Sequence, residues 1–259
     1  MDLNLKGFHV VVTGGSSGLG YDMTKALASH GATAAIAARP GEKLDRALES
    51  LRDEGLDVHA LTMDVRSGES VGAAAQWVSE NWGRLDMLVN NAGIGMGAVN
   101  QDFQNPMPCY EVPVAAFYDM VETNFIGHFL TARAFLPLML RQGKGRLVNV
   151  STSLATLTAQ GQLPYGPAKA GMEAMSTIMG EELKGLGIMV NVILPGGAAD
   201  TRLVPPGMRE VLLQRGMLDP DVLNETILFL ASPSAEGLYN QRIIGKEFHR
   251  WLEEKGIEL

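Results

Sequence analysis

A single cysteine, Cys109, stands among 259 residues, so no internal disulfide can form and a reducing compartment is the default expectation. The five histidines are scattered without ligand spacing, which leaves a metal centre unsupported. No run of Lys or Arg forms a basic stripe, and the net charge of -8 with a pI near 5.2 argues against a nucleic-acid surface. The longest apolar stretch, 125–140, is interrupted by His128, Arg133 and Pro137, too polar for a membrane span. Residues 1–5 have neither the basic flank nor the apolar run of a signal peptide, and we expect a cytoplasmic protein. Repeats, low-complexity tracts and boundary linkers are also missing, so a single domain over 1–259 is expected. What the chain does have is 46% hydrophobic residues, 19% charged residues and a mean hydropathy near zero, enough for a large core in a globular protein.

The pattern along the chain alternates. A β-branched run at 8–13 meets the turn Gly14-Gly15-Ser16-Ser17-Gly18-Leu19-Gly20, and a helix follows over 21–30. Strand, glycine turn and helix open a βαβ unit, in which glycines let the backbone approach a phosphate and the helix N-terminus offers free N–H groups to it. Strands at 33–38, 58–63 and 85–89 alternate with helices at 42–54 and 70–81. Further on, helices at 114–141, 165–186 and 221–231 enclose strands at 146–150 and 188–194. This spacing predicts an α/β fold of the Rossmann type: a doubly wound parallel sheet of about seven strands with helices on both faces. Ligands in such sheets sit at the carboxyl ends of strands, where Asp64, Asn90 and Asn91 fall. Two segments lack clear periodicity, 94–113 with Pro106, Pro108 and Pro113, and 198–216. Both are expected on the substrate side.

Tyr165 and Lys169 stand four residues apart, so on a helix they share one face. A cation near a phenol favours the phenolate, and moving a Tyr from about 10 to about 7 needs on the order of 4 kcal/mol of differential stabilisation. An ammonium and a positively charged cofactor together are of the right kind to supply it.

The series Thr13-Gly14-x-x-x-Gly18-x-Gly20, Asp64, Asn90-Asn91-Ala92-Gly93, Asn124, Tyr165-x-x-x-Lys169 and Asn191-x-x-x-Pro195-Gly196 resembles the short-chain dehydrogenase/reductases, in the compact subclass of about this length. The resemblance covers nearly the whole chain. It implies Tyr165 as general acid/base, Lys169 lowering its pKa and binding the nicotinamide ribose, and Asn124 holding a water in a proton relay. It implies cofactor contacts from Gly14, Ser16, Ser17, Gly18, Leu19 and Gly20 to the pyrophosphate and from Asp64 and Val65 to the adenine. Asn91, Ala92 and Gly93 would line the adenosine side, and Pro195, Gly196 and Thr201 the nicotinamide end. The family's serine thirteen positions before the tyrosine falls here on Thr152, with Ser153 as the alternative if the loop is one residue shorter. Ala38 stands where NAD-preferring relatives carry an Asp and Arg39 follows it, which favours NADP(H) over NAD(H), whereas Ser17 stands where many NADP users have a basic residue. The segment from Gly93 to Asn124 is somewhat longer than usual, and the C-terminal Val-Asp-Gly-Gly is replaced by the tail beginning Arg242-Ile243-Ile244.

The implied activity is hydride transfer between the nicotinamide and a carbonyl or secondary alcohol. Met96, Met107, Cys109, Tyr110, Leu203 and Met208 suggest a largely apolar substrate. A non-catalytic dinucleotide sensor or scaffold and an epimerase-type relative are the other readings. A homotetramer or homodimer through the helices near Val114 and Tyr165 is the implied assembly.

Overall fold

A computed structural model describes residues 3–102, 105–204 and 206–258 of the chain. The strands are β1 (His9–Thr13), β2 (Thr33–Ala38), β3 (Val58–Thr62), β4 (Met87–Asn90), β5 (Gly145–Val150), β6 (Ile188–Leu194) and β7 (Arg242–Ile244). They form one seven-stranded sheet in the order β3-β2-β1-β4-β5-β6-β7, and every pairing is parallel. Chain order reverses direction beside β1, which pairs with β2 on one side and β4 on the other. The crevice above the carboxyl ends of β1 and β4 is therefore the topological switch point.

The helices are α1 (Gly18–Ser29), α2 (Glu42–Asp53), α3 (Gly68–Asn81), α4 (Val114–Val121), α5 (Gly127–Gln142), α6 (Leu154–Thr158), α7 (Tyr165–Leu183), α8 (Arg209–Gln214), α9 (Asn224–Ala231) and α10 (Phe248–Lys255). They cover both faces of the sheet. Val10 and Val12 of β1 join one cluster with Met23 and Leu27 of α1, Leu44 of α2, Ile227 of α9 and Phe248 of α10. Val11 between them points the other way, into a cluster with Val71 of α3, Phe135 of α5 and Ile188 of β6. All three valines are fully buried, which is why β1 reads as a continuous apolar run with no alternation. Each such side chain contributes roughly 1.5–3 kcal/mol of hydrophobic burial.

Several boundaries differ from the sequence-based expectation. Helix α1 begins at Gly18, not at 21, so Gly18, Leu19 and Gly20 are its first turn as well as the end of the glycine turn. The helix expected over 114–141 is interrupted by a π turn at Glu122–Ile126 that carries Asn124. Segment 94–113 contains 3-10 turns at Met96–Ala98 and Cys109–Glu111, and segment 198–216 contains α8; neither is wholly irregular. The tail that lacks Val-Asp-Gly-Gly still completes the sheet as β7, in register with Val192–Leu194 of β6, and then forms α10.

Candidate active site

Two contiguous cavities open above the carboxyl ends of the strands. The larger, about 700 Å³, is lined by Gly14, Ser16, Ser17, Gly18 and Leu19 of the glycine turn, by Arg39 and Lys43, by Asp64 and Val65, and by Asn91, Ala92 and Gly93. The smaller, about 290 Å³, is lined by Thr152, Tyr165, Lys169, Pro195 and Thr201 together with Ile94, Met96, Leu203, Val204 and Leu212. Leu19, Asn91, Gly93, Ile94, Thr201 and Leu203 belong to both. Together they have the size and shape of a site for an elongated ligand with one end over Tyr165.

The glycines beside the larger cavity let neighbouring segments approach closely. Gly18 has φ of 55°, and a Cβ there would lie 2.9 Å from Thr201 Cγ2. Gly20 lines neither cavity; a Cβ on it would meet Asn91 Nδ2 at 2.3 Å and the Gly14 carbonyl at 2.6 Å. Its role is therefore to let α1 pack against the end of β4, while Ser16, Ser17 and Leu19 face the cavity. Ser17 is the N-cap of α1, but its side chain caps no N–H, so the first-turn donors stay available to a ligand.

Side chains fix the floor between the cavities peptide by peptide. The N–H groups of Asn91 and Ala92 both donate to Thr13 Oγ1, at 3.0 and 2.9 Å. Asn91 Nδ2 donates back to the Thr13 carbonyl at 3.0 Å, which ties the glycine turn to the end of β4. Asn124 is wholly buried: its Oδ1 accepts from Ile94 N and its Nδ2 donates to Ile94 O, both at 2.8 Å. The side chain of Asn124 thus positions Ile94. His128, one turn on in α5, lies 3.1 Å from the Ala92 carbonyl through Nε2, which must be the donor nitrogen. Burial, with Lys169 nearby, pushes His128 down to about 3, so it is neutral at working pH. No motif marked His128; its four-residue spacing from Asn124 on one helix was the available signal.

Beside the smaller cavity, α7 presents Tyr165, Lys169, Glu173 and Ser176 as one stripe. That stripe meets the end of β5 residue by residue. Asn149 Nδ2 donates to Ser176 Oγ at 2.8 Å, and Lys169 Nζ donates to the Val150 carbonyl at 2.8 Å. Ser151 Oγ donates to Glu173 Oε1, and Thr152 and Tyr165 line the smaller cavity together, where Thr152 acts to lower the phenol's pKa. The phenol nevertheless stands above its ordinary range, because burial outweighs the influence of Thr152. The expected lowering by Lys169 is not what dominates in this geometry. Lys169, only 4% exposed, is itself pushed down to about 8 by burial, with Glu173 partly offsetting the cost of its charge.

Between the two hydroxyl candidates the geometry discriminates. Ser153 is the N-cap of α6, accepting from Thr156 N at 3.2 Å and pairing with Thr156 Oγ1 at 2.8 Å, and it lines neither cavity. Thr152 lines the smaller one beside Tyr165. Among the other expected residues, Asp64 lines the larger cavity, but Arg66 already binds its carboxylate, Nη2 to Oδ2 at 3.0 Å, holding it below the usual range. Pro195 lines the smaller cavity, whereas Gly196 sits behind it against Ile244 and Lys246.

Sequence reasoning named Arg39 and missed its neighbours. Lys43 and Arg202 also line the larger cavity. Partial burial, then Arg202 and Arg39, lower the Lys43 pKa, which places the three cations close together. Among the described residues none of the three makes an ion pair.

The family model for short chain dehydrogenases matches residues 8–208. The chain is 27% identical over 253 residues to the uncharacterized oxidoreductase YxjF of Bacillus subtilis, covering 90% of this chain and 95% of that one. It is 30% identical over 241 residues to the 3-oxoacyl-(acyl-carrier-protein) reductase FabG of Staphylococcus aureus, covering 90% and 94%. Among solved structures, an actinorhodin polyketide ketoreductase with NADPH superposes with a TM-score of 0.80 at 27% identity, over 93% of this chain and 97% of that one. A 3-ketoacyl-(acyl-carrier-protein) reductase from Brucella melitensis complexed with NADH gives a TM-score of 0.82 at 27% identity, with the same coverage of each chain.

Proposed function

Because the chain belongs to the short-chain dehydrogenase family, we propose that it interconverts a carbonyl compound and a secondary alcohol, with NADP(H) as preferred cofactor and an apolar substrate. The observation that carries this reading is the convergence of Thr152, Tyr165 and Lys169 on one cavity that continues into the glycine-turn cavity. The residues present fit a nicotinamide dinucleotide. The glycine turn and the free donors of α1 suit its pyrophosphate, and the larger cavity ends in cations. When bound, the cofactor supplies or accepts the hydride.

The protein's own part is proton management and placement. In the reducing direction Tyr165 gives its proton to the substrate oxygen as the carbonyl carbon becomes tetrahedral, and in the oxidising direction it takes that proton back. Thr152 donates a hydrogen bond to the same oxygen, stabilising the charge that develops there. Lys169 stabilises the phenolate left behind, and its buried ammonium lies on the same helical face as the phenol. Ile94, Met96, Leu203, Val204 and Leu212 form the apolar walls. The polar exceptions Thr156 and Gln162 are placed to receive one polar group of the substrate.

The preference for NADP(H) rests on Arg39, Lys43 and Arg202, cations with no ion-pair partner among the described residues and no carboxylate at position 38, a set suited to a 2′-phosphate. The test is a screen of NADPH and NADH oxidation with apolar ketones and aldehydes, on wild type and Tyr165→Phe. Turnover with NADPH that vanishes in the variant while cofactor binding persists supports the reading. Binding without turnover on any carbonyl contradicts it.

A further inference from the structure

Arg242 stands in the tail where the sequence departs from the family pattern, 69 residues from Glu173 and 90 from Thr152, yet it touches both. Its Nε donates to Glu173 Oε2 at 2.9 Å and its Nη2 to Glu173 Oε1 at 3.2 Å. The same Nη2 donates to the Thr152 backbone carbonyl at 2.7 Å. Glu173 in turn accepts the Ser151 hydroxyl. The pair is mostly shielded, the side chains being 26% and 16% exposed, so it is screened less than a surface pair. A planar guanidinium satisfies two carboxylate oxygens and a carbonyl at fixed angles, which a lysine cannot do.

We propose that Arg242 and Glu173 form a clamp that sets the position of Thr152 relative to Tyr165, and that they are positioning residues for the reaction proposed above, on which this inference rests. Three elements meet at the clamp: β7 through Arg242, the catalytic face of α7 through Glu173, and the loop after β5 through Ser151 and Thr152. Thr152 lies beyond the last paired residue of β5, so the sheet ladder does not hold its carbonyl; Arg242 does. Glu173 lies two turns from Tyr165 and one from Lys169, so the clamp fixes the loop to the helix face that carries the acid/base group. The tail therefore does more than close the sheet. It sets the distance between the hydroxyl that polarises the substrate and the phenol that exchanges the proton.

The experiment compares wild type, Arg242→Gln, Thr152→Val and the double variant, each checked for folding by circular dichroism and for cofactor affinity by fluorescence. The clamp predicts that Arg242→Gln lowers kcat by ~10–100-fold, the effect of roughly an ångström of misplacement, with the cofactor Kd unchanged. It also predicts that the effect shrinks to less than about threefold in the Thr152→Val background, because both changes disable the same hydroxyl. Equal losses in both backgrounds would overturn the proposal, as would wild-type kcat in Arg242→Gln. Should Arg242→Gln not fold, Arg242→Lys, which keeps the charge and loses the fork, is read in the same way. A second measurement does not depend on turnover: amide hydrogen exchange across 151–157 accelerates at least ~10-fold in Arg242→Gln if the clamp holds the loop, and is unchanged if it does not. Absence of wild-type turnover would thus fail the functional reading alone, while unchanged exchange would fail the clamp.

Discussion

At the residue scale, the division of labour between two adjacent hydroxyls is the sharpest consequence of the geometry. Thr152 faces Tyr165 and the cavity, so Thr152→Val should cost ~10²-fold in kcat with little change in stability. Ser153 caps α6, so Ser153→Ala should cost about 1 kcal/mol of local stability and leave kcat within about threefold of wild type. Steady-state kinetics and urea melts of the two variants separate the roles. The sequence placed both hydroxyls next to the tyrosine but left the choice open, because it depends on which one enters a helix cap, and α6 is only five residues long. Lys169 gives a pH prediction. With burial holding it near 8, it loses its proton as pH rises through about 8, and carbonyl reduction should decline over that interval. His128, near 3, contributes no limb at neutral pH. A pH–rate profile for reduction that stayed flat to pH 10 would contradict this assignment.

At the element scale, the glycine turn and the first turn of α1 are one device. Gly20→Ala places a methyl against Asn91 Nδ2 and the Gly14 carbonyl, and backbone cannot yield cheaply. We expect a loss of ~1–3 kcal/mol in stability together with weakened cofactor binding, measured by chemical denaturation and fluorescence titration. The alternation of strands, the glycine turn and the Tyr165–Lys169 helix were legible because each is a local pattern with its own period or spacing. The partnerships that were not legible act across the chain. Arg202 lines the larger cavity from the segment after β6, Asn124 turns its amide to Ile94, and Arg242 crosses from β7 to α7. None of those partnerships leaves a mark in nearby sequence. The π turn was equally invisible, since it is a single turn inside a stretch that is helical on both sides.

At the scale of the whole molecule, the described residues include no helix long and apolar enough to cross a membrane. Tyr118 of α4, Phe129 and Leu140 of α5 and Ile178 of α7 stand exposed, from 41% to 62%. We propose that these helices pack against a second copy, and sedimentation should show a dimer or tetramer; a monomer at micromolar concentration would remove that proposal. The cation group at the far end of the larger cavity predicts cofactor choice. Replacing Arg39 and Lys43 together with Ala should raise KM for NADPH by ~10–100-fold and leave KM for NADH within a few-fold. The central claim is that these residues serve direct hydride transfer with Tyr165 moving the proton. It is tested most directly by incubating wild type and Tyr165→Phe with an apolar ketone and NADPH deuterated at the transferring position of C4, then analysing the product by mass spectrometry. The account predicts an alcohol carrying one deuterium from wild type and none from the variant. Deuterium retained in the cofactor with both proteins, across a panel of ketones, would contradict it.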